Sequence, residues 1–451
     1  MELGSQENGA DLEAAPSSAQ DEPLVYGELI VLGYGDDKSS TIGEGKRARS
    51  RLVLRRRPEG NGIKKDKVVA VPISSSIDAV KSVGDRTRHT VSYSYKSDKH
   101  VVVEYCADAD TDLFQIGRSS EPQIDFVVVD TWINAVGRPQ QQASQPLAST
   151  ISRFACRLIV ERAPPNAARL YAAGFDSHSN IFLGEKACKW RKRGTNGVND
   201  VDGLTTNGVL ILQPSSLDDA ERVEPQQLRE TRSSGQRGQR VEALTNELQD
   251  GTLIDLCGAT LLWRSAEGLA RTPTAAELEA QLDSLNAAKP QCPVNLNTLV
   301  MPRGNRRRSA ANQATTPASA TLQENGGGGG RWTDEEEEQP YVYLECGHVQ
   351  GRHKWGHMRT MQKHKCPICQ QESKHILGLA MGLERAFHID SSSLDYAFNP
   401  CGHVASLPTV RYWSGIALPH GTSSFHSVCP FCTTALDGAK PYLRLIFQSN
   451  C

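Results

Sequence analysis

The chain has 451 residues, a formal net charge of -2, and 38% hydrophobic but only 6% aromatic residues. This length is too great for one hydrophobic core, so we expect two folded domains joined by linkers. The near-neutral charge argues against electrostatic binding to nucleic acid, and no apolar run approaches the ~20 residues that a membrane-spanning helix needs. We therefore expect no nucleic-acid partner and no membrane insertion.

Two segments have the composition of disordered chain. Residues 1–20 are acidic and rich in Ala and Ser, and they lack the apolar region of a secretory signal. Residues 301–339 combine Arg306-Arg-Arg308, a run of glycines and a run of glutamates, which predicts a linker that leaves the flanking domains free to reorient. We expect a cytoplasmic protein, with a nuclear pool if the basic runs at 46–51 and 306–308 act as import signals.

Residues 21–270 are predicted to form a mainly β domain. Short apolar or alternating segments separated by polar turns predict strands. These segments are residues 27–34, 100–105, 124–130, 151–161, 208–213 and 252–263. Because no helices alternate with them, we predict an antiparallel β-sandwich. The span is long for one sandwich, and we place insertions near residues 35–100 and 214–240.

Residues 271–300 are predicted to form one helix and a connector. Thr274 is a suitable N-cap, and Leu278 and Leu282 recur at helical spacing. Pro290 is expected to end the helix, because proline cannot continue it.

The last predicted domain, residues 340–451, repeats one phrase of candidate metal ligands. Cys-Gly-His-Val is followed by Cys-Pro-x-Cys, and the same order then occurs again. Soft thiolate and borderline imidazole ligands in four close pairs predict two structural Zn²⁺ ions. The predicted ligands are Cys346, His348, Cys366, Cys369, Cys401, His403, Cys429 and Cys432.

The spacing leaves the pairing of these ligands open. If the sites are sequential, each has three cysteines and one histidine. If they are cross-braced, one site has two cysteines and two histidines and the other has four cysteines. His426 competes for a ligand position, since its spacing from Cys429 also resembles the centre of a RING motif. Four protein ligands leave no open position for an activated water, so we interpret the zinc as structural.

A small domain that folds around metal usually presents a rigid surface. In RING-like domains this surface binds a ubiquitin-conjugating enzyme, and catalysis consists of positioning the charged thioester. We predict Ile368, Trp413 and Pro430 as apolar candidates for that surface. We predict no catalytic side chain, because no nucleophile and base pattern accompanies the zinc ligands.

Three short phrases in the predicted sandwich suggest phosphate recognition. They are Gly-Arg at 117–118, Ser-Arg at 152–153 and Thr-Asn-Gly at 206–208. Arginine binds phosphate with bidentate hydrogen bonds, and short hydroxyl and amide side chains complete such a cradle. This order resembles the phosphothreonine-binding loops of forkhead-associated (FHA) domains, which makes Arg118, Ser152, Thr206 and Asn207 candidate contacts. FHA domains usually continue Ser-x-x-His and use that histidine to buttress the loops, whereas this chain has Ala155.

The chain resembles the Pellino family, a class of ubiquitin ligases and scaffolds in Toll and interleukin-1 receptor signalling. The resemblance extends from Tyr26 to Phe447 except for the linker, and the missing Ser-x-x-His histidine is a feature that the family shares. It is carried by the segments 114–118, 149–156, 171–176, 202–208, 255–263 and 429–432. It implies an FHA-type sandwich with a wing appendage, followed by a small zinc-stapled RING-like domain in which the eight predicted ligands match the family order. It also implies phosphorylated interleukin-1 receptor-associated kinases, a ubiquitin-conjugating enzyme and ubiquitin as partners.

The leading hypothesis is therefore a phosphothreonine-directed ubiquitin ligase. The sandwich would select a phosphorylated partner, the zinc domain would recruit the charged conjugating enzyme, and a flexible linker would set their effective concentration. The alternative is a non-enzymatic adaptor whose zinc domain only binds protein. A zinc-dependent nucleic-acid binder is disfavoured, because residues 341–451 carry no dense basic stripe.

Overall fold

The computed structural model describes a large part of the chain. The described residues are 23–32, 51–72, 88–96, 99–131, 149–183, 188–191, 201–205, 209–214, 225–227, 229–230, 245–288, 290–302, 339–351, 357–358, 363–420 and 424–447. Within these ranges the fold is mainly β, as predicted. None of the helices in them has the length and apolar character to cross a membrane.

The first part of the chain contains strands and then two helices. Its strands are β1 Val25–Val31, β2 Arg51–Arg55, β3 Gly62–Pro72, β4 His89–Lys96, β5 Lys99–Asp108, β6 Thr111–Gly117, β7 Phe126–Val127, β8 Cys156–Glu161, β9 Ala168–Ala172, β10 Asn180–Leu183, β11 Cys188–Arg191, β12 Val201–Thr205, β13 Leu210–Leu212, β14 Leu253–Asp255 and β15 Thr260–Ser265. The helices are α1 Ala266–Ala270 and α2 Ala275–Ala287.

The last part of the chain consists of short strands and one longer helix. Its elements are β16 Tyr341–Tyr343, β17 Val349–Gln350, β18 His357–Met358, β19 Lys363–Lys365, β20 Glu372–Ser373, β21 Ile376–Gly378, β22 Ala380–Met381, a 3-10 turn Arg385–Phe387, β23 Tyr396–Phe398, β24 His403–Ala405, α3 Leu407–Ser414, β25 Leu418–His420, β26 Ser424–His426 and β27 Tyr442–Arg444. Residues 339–447 are called the zinc module below.

Two sheets form the predicted sandwich. One has the strand order β13-β14-β15-β1-β2 and the other β7-β6-β8-β9. Their inner faces share one buried cluster, to which Leu29 and Trp263 contribute from the first sheet and Phe114 and Leu158 from the second. Most neighbours are antiparallel, but β7 runs parallel to β6. The strand predicted at 124–130 shortens to β7, Phe126–Val127. Directly before it, the side chain of Asp125 accepts from the N–H of Gln115 (2.8 Å).

A third sheet forms the predicted wing. Its order is β10-β4-β5-β3, and β10 pairs with β4 in parallel. Val91, Val101 and Phe175 belong to a separate buried cluster of this sheet. The wing strands come from residues 62–108 and 180–183, so the first predicted insertion overlaps it. The second, at 214–240, falls largely outside the described residues.

The wing packs against the outer face of β8, where Arg157 is buried between the two sheets. Only 2% of Arg157 is exposed. Its guanidinium carbon lies 4.8 Å from the centre of the Phe175 ring, and its Nη1 donates to the carbonyl of Ala173 (3.1 Å). Burial lowers the pKa of this arginine. A desolvated cation over an aromatic face is worth about 2 kcal/mol, so Arg157 ties the wing to the sandwich.

The connector forms as predicted and continues into the zinc module. The Thr274 hydroxyl accepts from the N–H of Glu277 (3.1 Å), and the Glu277 carboxylate accepts from the N–H of Thr274 (2.8 Å), a complete capping box. Leu282 of α2 belongs to one buried cluster with Leu299 and with Val342 of β16. Helix α2 and residues 290–302 therefore supply part of the core of the zinc module.

The sandwich and the zinc module share a second hydrophobic core. Ile30, Leu253 and Leu262 face outward from the first sheet and pack in one buried cluster with Val410 and Trp413 of α3. A sheet that is apolar on both faces must be covered on both. The prediction of freely reorienting domains is therefore wrong for the described residues, because separation would expose this apolar surface to water.

Candidate functional site

The eight predicted metal ligands form two clusters. The ligand atoms of Cys346, His348, Cys366 and Cys369 lie within 4.8 Å of one another, and so do those of Cys401, His403, Cys429 and Cys432. Each cluster therefore combines one Cys-Gly-His unit with the Cys-Pro-x-Cys unit that follows it. The arrangement is sequential rather than cross-braced, and each cluster has three cysteines and one histidine.

These donor sets fit Zn²⁺, which takes four tetrahedral nitrogen or sulfur ligands in structural sites. Burial raises the pKa of the Cys346 thiol to about 12 and raises the pKa of Cys429 well above its usual value. Hydrogen bonds with Cys401 and Cys429 hold the pKa of Cys432 well below its usual value. A bound zinc ion would supply the positive charge that allows all of these thiols to ionise together.

A glycine in each cluster has a backbone that other residues rarely adopt. Gly347 has φ +79 and Gly402 has φ +73. A Cβ at Gly347 would lie 2.4 Å from the carbonyl oxygen of Arg444, and one at Gly402 would lie 2.1 Å from that of Gly378. Both the left-handed conformation and the close approach require glycine. The turn at this glycine brings the following histidine beside the preceding cysteine.

His426 is not part of either cluster of described residues. Its side chain is exposed, and its backbone pairs with Leu418 in the hairpin of β25 and β26. The histidines of the two clusters are thus His348 and His403, as the repeated phrase predicts.

The structure corrects two of the three predicted surface residues. Trp413 is only 1% exposed, and its indole N–H donates to the carbonyl of Phe387 (2.9 Å) inside the shared core. Pro430 is also buried. Neither side chain is available to a conjugating enzyme, and Trp413 lies in the buried cluster that the module shares with the sandwich. Ile368, in the loop between Cys366 and Cys369, is 37% exposed and remains a candidate.

Two of the predicted phosphate-binding phrases lie side by side. Strand β6 ends at Gly117, where a Cβ would lie 2.1 Å from the carbonyl oxygen of Arg153. The N–H of Arg118 donates to the carbonyl of Ser152 (3.2 Å), and its Nε donates to the carbonyl of Ile151 (2.7 Å). The side chains of Arg118 and Ser152 are exposed. The fold thus presents an arginine and a serine together at one end of the sandwich.

The third phrase is not described structurally. Thr206 and Asn207 lie outside the described residues, between the strands β12 and β13. Their assignment as phosphothreonine contacts therefore remains a prediction from the resemblance.

Sequence reasoning missed a residue that supports the first cluster. Gln350 of β17 is fully buried, and its Nε2 donates to the sulfur of Cys366 (3.4 Å). A donor to a ligating sulfur stabilises the thiolate and orients it toward the metal. The repeated phrase did not point to this glutamine, because the second copy has Ala405 at the corresponding position.

Comparison with known proteins places both parts of the chain in one family. The model described as "Pellino, FHA domain" matches residues 17–281, and "Pellino, RING domain" matches residues 285–319 and 329–451. The chain is 46% identical over 441 residues to "Protein pellino" of Drosophila melanogaster, covering 95% of this chain and 94% of the relative.

Two mammalian relatives are similar to a comparable extent. The chain is 44% identical over 454 residues to human "E3 ubiquitin-protein ligase pellino homolog 2", with 98% of each chain covered. It is 45% identical over 445 residues to mouse "E3 ubiquitin-protein ligase pellino homolog 3", covering 95% of this chain and 91% of the relative. The sandwich with its wing, the two sequential ligand clusters and these near full-length matches lead to one assignment: the chain belongs to the Pellino family.

Proposed function

We propose that this chain is a ubiquitin-protein ligase that selects its partners by a phosphothreonine bound to the FHA sandwich. The family assignment supports the ligase activity, since its relatives are named E3 ubiquitin-protein ligases and the RING model matches the zinc module. One observation carries the proposal. The same chain contains two clusters of three cysteines and one histidine and, in the sandwich, the exposed side chains of Arg118 and Ser152.

The ligase role follows from the chemistry of the zinc module. Each cluster provides four protein ligands, so the zinc would shape the module and leave no position for a reacting water. Such a module accelerates transfer by holding the charged conjugating enzyme and the acceptor lysine in a reactive arrangement.

The exposed half of the module is the proposed docking side for the conjugating enzyme. The second cluster belongs in part to the core shared with the sandwich, in which Cys429 is fully buried. The first cluster carries two exposed apolar side chains, Ile368 in its zinc loop and Ile446, whose N–H donates to the carbonyl of Gly347 (2.8 Å). Exposed apolar side chains beside this cluster, one in its zinc loop and one after β27, are suited to contact another protein.

The phosphate-reading role is assigned to the end of the sandwich near Arg118. Its Nε is fixed by the carbonyl of Ile151, which leaves the two terminal nitrogens of the guanidinium to bind a phosphate oxyanion. Ser152 adds a hydroxyl donor, and Thr206 and Asn207 are the proposed further contacts. The resemblance adds phosphorylated receptor-associated kinases of Toll signalling as the partners. The cytoplasm is proposed as the place of action on the composition of residues 1–20, which lack the apolar region of a secretory signal.

The shared core changes how the two activities would be coupled. In the prediction from sequence, a flexible linker set the effective concentration of substrate and enzyme. Contacts between β1, β14 and β15 of the sandwich and α3 of the zinc module instead support a fixed distance between the bound phosphothreonine and the docked conjugating enzyme. A fixed distance favours those lysines of the partner that lie within reach of the thioester.

Autoubiquitination by the purified full-length chain tests the ligase role. The wild type should form polyubiquitin with a panel of conjugating enzymes, whereas Cys366→Ala/Cys369→Ala should lose one zinc ion and the activity. Cys106→Ala removes a cysteine of the wing strand β5 that belongs to neither cluster, and it serves as the matched control. If a zinc-loaded wild type forms no polyubiquitin with any enzyme of the panel, the non-enzymatic adaptor becomes the better account.

A further inference from the structure

The loop that carries Ser152 needs a support that the FHA pattern does not supply here. The histidine of Ser-x-x-His is replaced by Ala155, which is 1% exposed and donates its N–H to the carbonyl of Ile116 (2.8 Å). A methyl group cannot hydrogen-bond to the neighbouring loops. The support for residues 149–153 must therefore come from elsewhere in the fold.

Asp130 contacts this loop with both carboxylate oxygens. Its Oδ1 accepts from the N–H of Thr150 (3.1 Å) and from the Thr150 hydroxyl (2.8 Å). Its Oδ2 accepts from the hydroxyl of Ser149. The same Ser149 hydroxyl oxygen accepts from the N–H of Ile151 (3.3 Å). One carboxylate thus fixes the three residues that immediately precede Ser152.

The turn at Gly258 packs against the same carboxylate. The turn at Gly258 lies directly on Asp130, since a Cβ at this position would lie 2.1 Å from Oδ1 of Asp130 and 2.7 Å from Cγ1 of Ile151. The carbonyl of Gly258 accepts from the N–H of Thr131 (2.9 Å). Glycine is required here because any side chain would occupy the space of the carboxylate.

The loop transmits this support to the predicted phosphate contacts. Ile151 is 1% exposed and anchors the loop in the sandwich core, while its carbonyl accepts from Nε of Arg118 (2.7 Å). The carbonyl of Ser152 accepts from the N–H of Arg118 (3.2 Å). A shift of the loop would therefore move Ser152 and the plane of the Arg118 guanidinium together.

We propose that Asp130 is a positioning residue for phosphothreonine binding, taking the place of the absent FHA histidine. The inference rests on the proposed phosphate-reading role of the sandwich. Asp130 holds the loop at 149–151 through three donors, and the loop in turn aligns Ser152 with Arg118. The carboxylate acts on the ligand only through these two residues.

Asparagine at position 130 is the sharpest change. It keeps the size of aspartate and fits beside Gly258, but one oxygen becomes an NH₂ group that cannot accept from Ser149 or Thr150. Hydrogen bonds to a charged acceptor are stronger than neutral ones, so we expect Asp130→Asn to weaken phosphopeptide binding about tenfold. Thr150→Val removes only the hydroxyl bond to Oδ1 and should weaken binding by about threefold.

The test uses the full-length chain and the phosphothreonine peptide that the wild type best captures from a degenerate peptide library. Its dissociation constant is measured by fluorescence anisotropy for the wild type, Asp130→Asn, Thr150→Val and Ser152→Ala, and for Asp130→Asn combined with Ser152→Ala. Asp176→Asn is the matched control, because its carboxylate also accepts a backbone N–H (2.8 Å, from His178) but lies in the turn before β10. It should bind as the wild type does.

The combined variant separates positioning from a general structural effect. If Asp130 acts through Ser152, the combined loss of affinity will be smaller than the product of the two single losses. Wild-type affinity of both Asp130→Asn and Thr150→Val would overturn the inference while leaving phosphothreonine binding intact. So would combined losses equal to the products both in the combined variant with Ser152→Ala and in Asp130→Asn combined with Arg118→Lys, because Asp130 acts only through Ser152 and Arg118. A wild type that captures no phosphothreonine peptide would overturn the proposed phosphate-reading role, and this inference with it.

Discussion

Arg264 of the sandwich donates from Nη1 to the carbonyl oxygens of Ala386 and His388 in the zinc module, at 2.6 Å each. Its Nε pairs with Asp250 of its own domain (3.1 Å), and its side chain is fully buried. Burying a charge is costly unless the group is paired and hydrogen-bonded, as Nε and Nη1 are here. The two domains therefore contact each other through a specific polar pairing as well as through apolar packing.

Replacing Arg264 should destabilise the contact between the domains. Arg264→Met keeps much of the volume but removes the donors to both carbonyls, and breaking a buried charged network costs about 3–5 kcal/mol. We expect a lower melting temperature and faster proteolysis between the domains. Arg271→Ala is the control, since its pair with Glu267 is exposed and should contribute less than about 1 kcal/mol. Equal melting temperatures for Arg264→Met and the wild type would contradict the shared core.

The two zinc clusters should differ in their effect on the sandwich. Cys429 belongs to the shared core, whereas Cys346 lies at the cluster away from the sandwich. Cys429→Ser should therefore increase hydrogen exchange in β1 and β15 as well as in the zinc module. Cys346→Ser should leave exchange in those two strands unchanged. The reverse pattern, measured by mass spectrometry, would show that the second cluster does not support the interface.

Alanine at Gly402 should prevent the second cluster from forming. The residue would have to hold φ +73 with its Cβ 2.1 Å from the carbonyl oxygen of Gly378. The conformation alone costs about 1–3 kcal/mol, and the clash adds to it. We expect a zinc content near one ion per chain instead of two. Gly438→Ala is the control, because a Cβ there meets nothing within 4 Å. Two ions in Gly402→Ala would contradict the role of this glycine.

His388 should make stability depend on pH. It is fully buried, its Nε2 hydrogen-bonds to the carbonyl of Gly382 (2.7 Å), and burial lowers its pKa. The unfolded state therefore binds a proton more readily than the folded state. The contribution of His388 to stability is complete above its unfolded pKa of about 6.5 and is lost as the pH falls toward its lower folded value.

The measurement is the melting temperature at several pH values between 8 and 5.5 for the wild type and His388→Gln. We expect a smaller decrease for the variant, with a residual slope from His89, whose pKa burial also lowers. His178→Gln, at a mostly exposed position, should retain the wild-type slope. Identical slopes for His388→Gln and the wild type would exclude this role of His388.

The sequence predicted the ligand set because the ligands occur in short motifs with fixed spacing between the cysteines and histidines. In the structure, each copy of the Cys-Gly-His and Cys-Pro-x-Cys phrases supplies all four ligands of one cluster. Sequential and cross-braced pairing use the same residues, so spacing alone could not separate them. The capping box at Thr274 was predictable for the same reason, since its two partners lie three residues apart.

Contacts between distant segments were not predictable in this way. Trp413 looked like a surface aromatic because the strands that cover it are more than a hundred residues away in the chain. A signal did exist in the continuous apolar run at 29–32, since a strand buried on both faces loses polar alternation. Asp130 gave no comparable signal, because its role depends on Thr150 and Gly258 folding around it.

The most direct test of the account is the rate of ubiquitin transfer to a protein that carries one phosphothreonine, compared with its unphosphorylated form. The full-length chain should modify the phosphorylated form faster, and Arg118→Ala should reduce that rate to the rate of the unphosphorylated form without changing autoubiquitination. Equal rates for both forms with the wild type, in the presence of an active conjugating enzyme, would contradict a ligase directed by phosphothreonine.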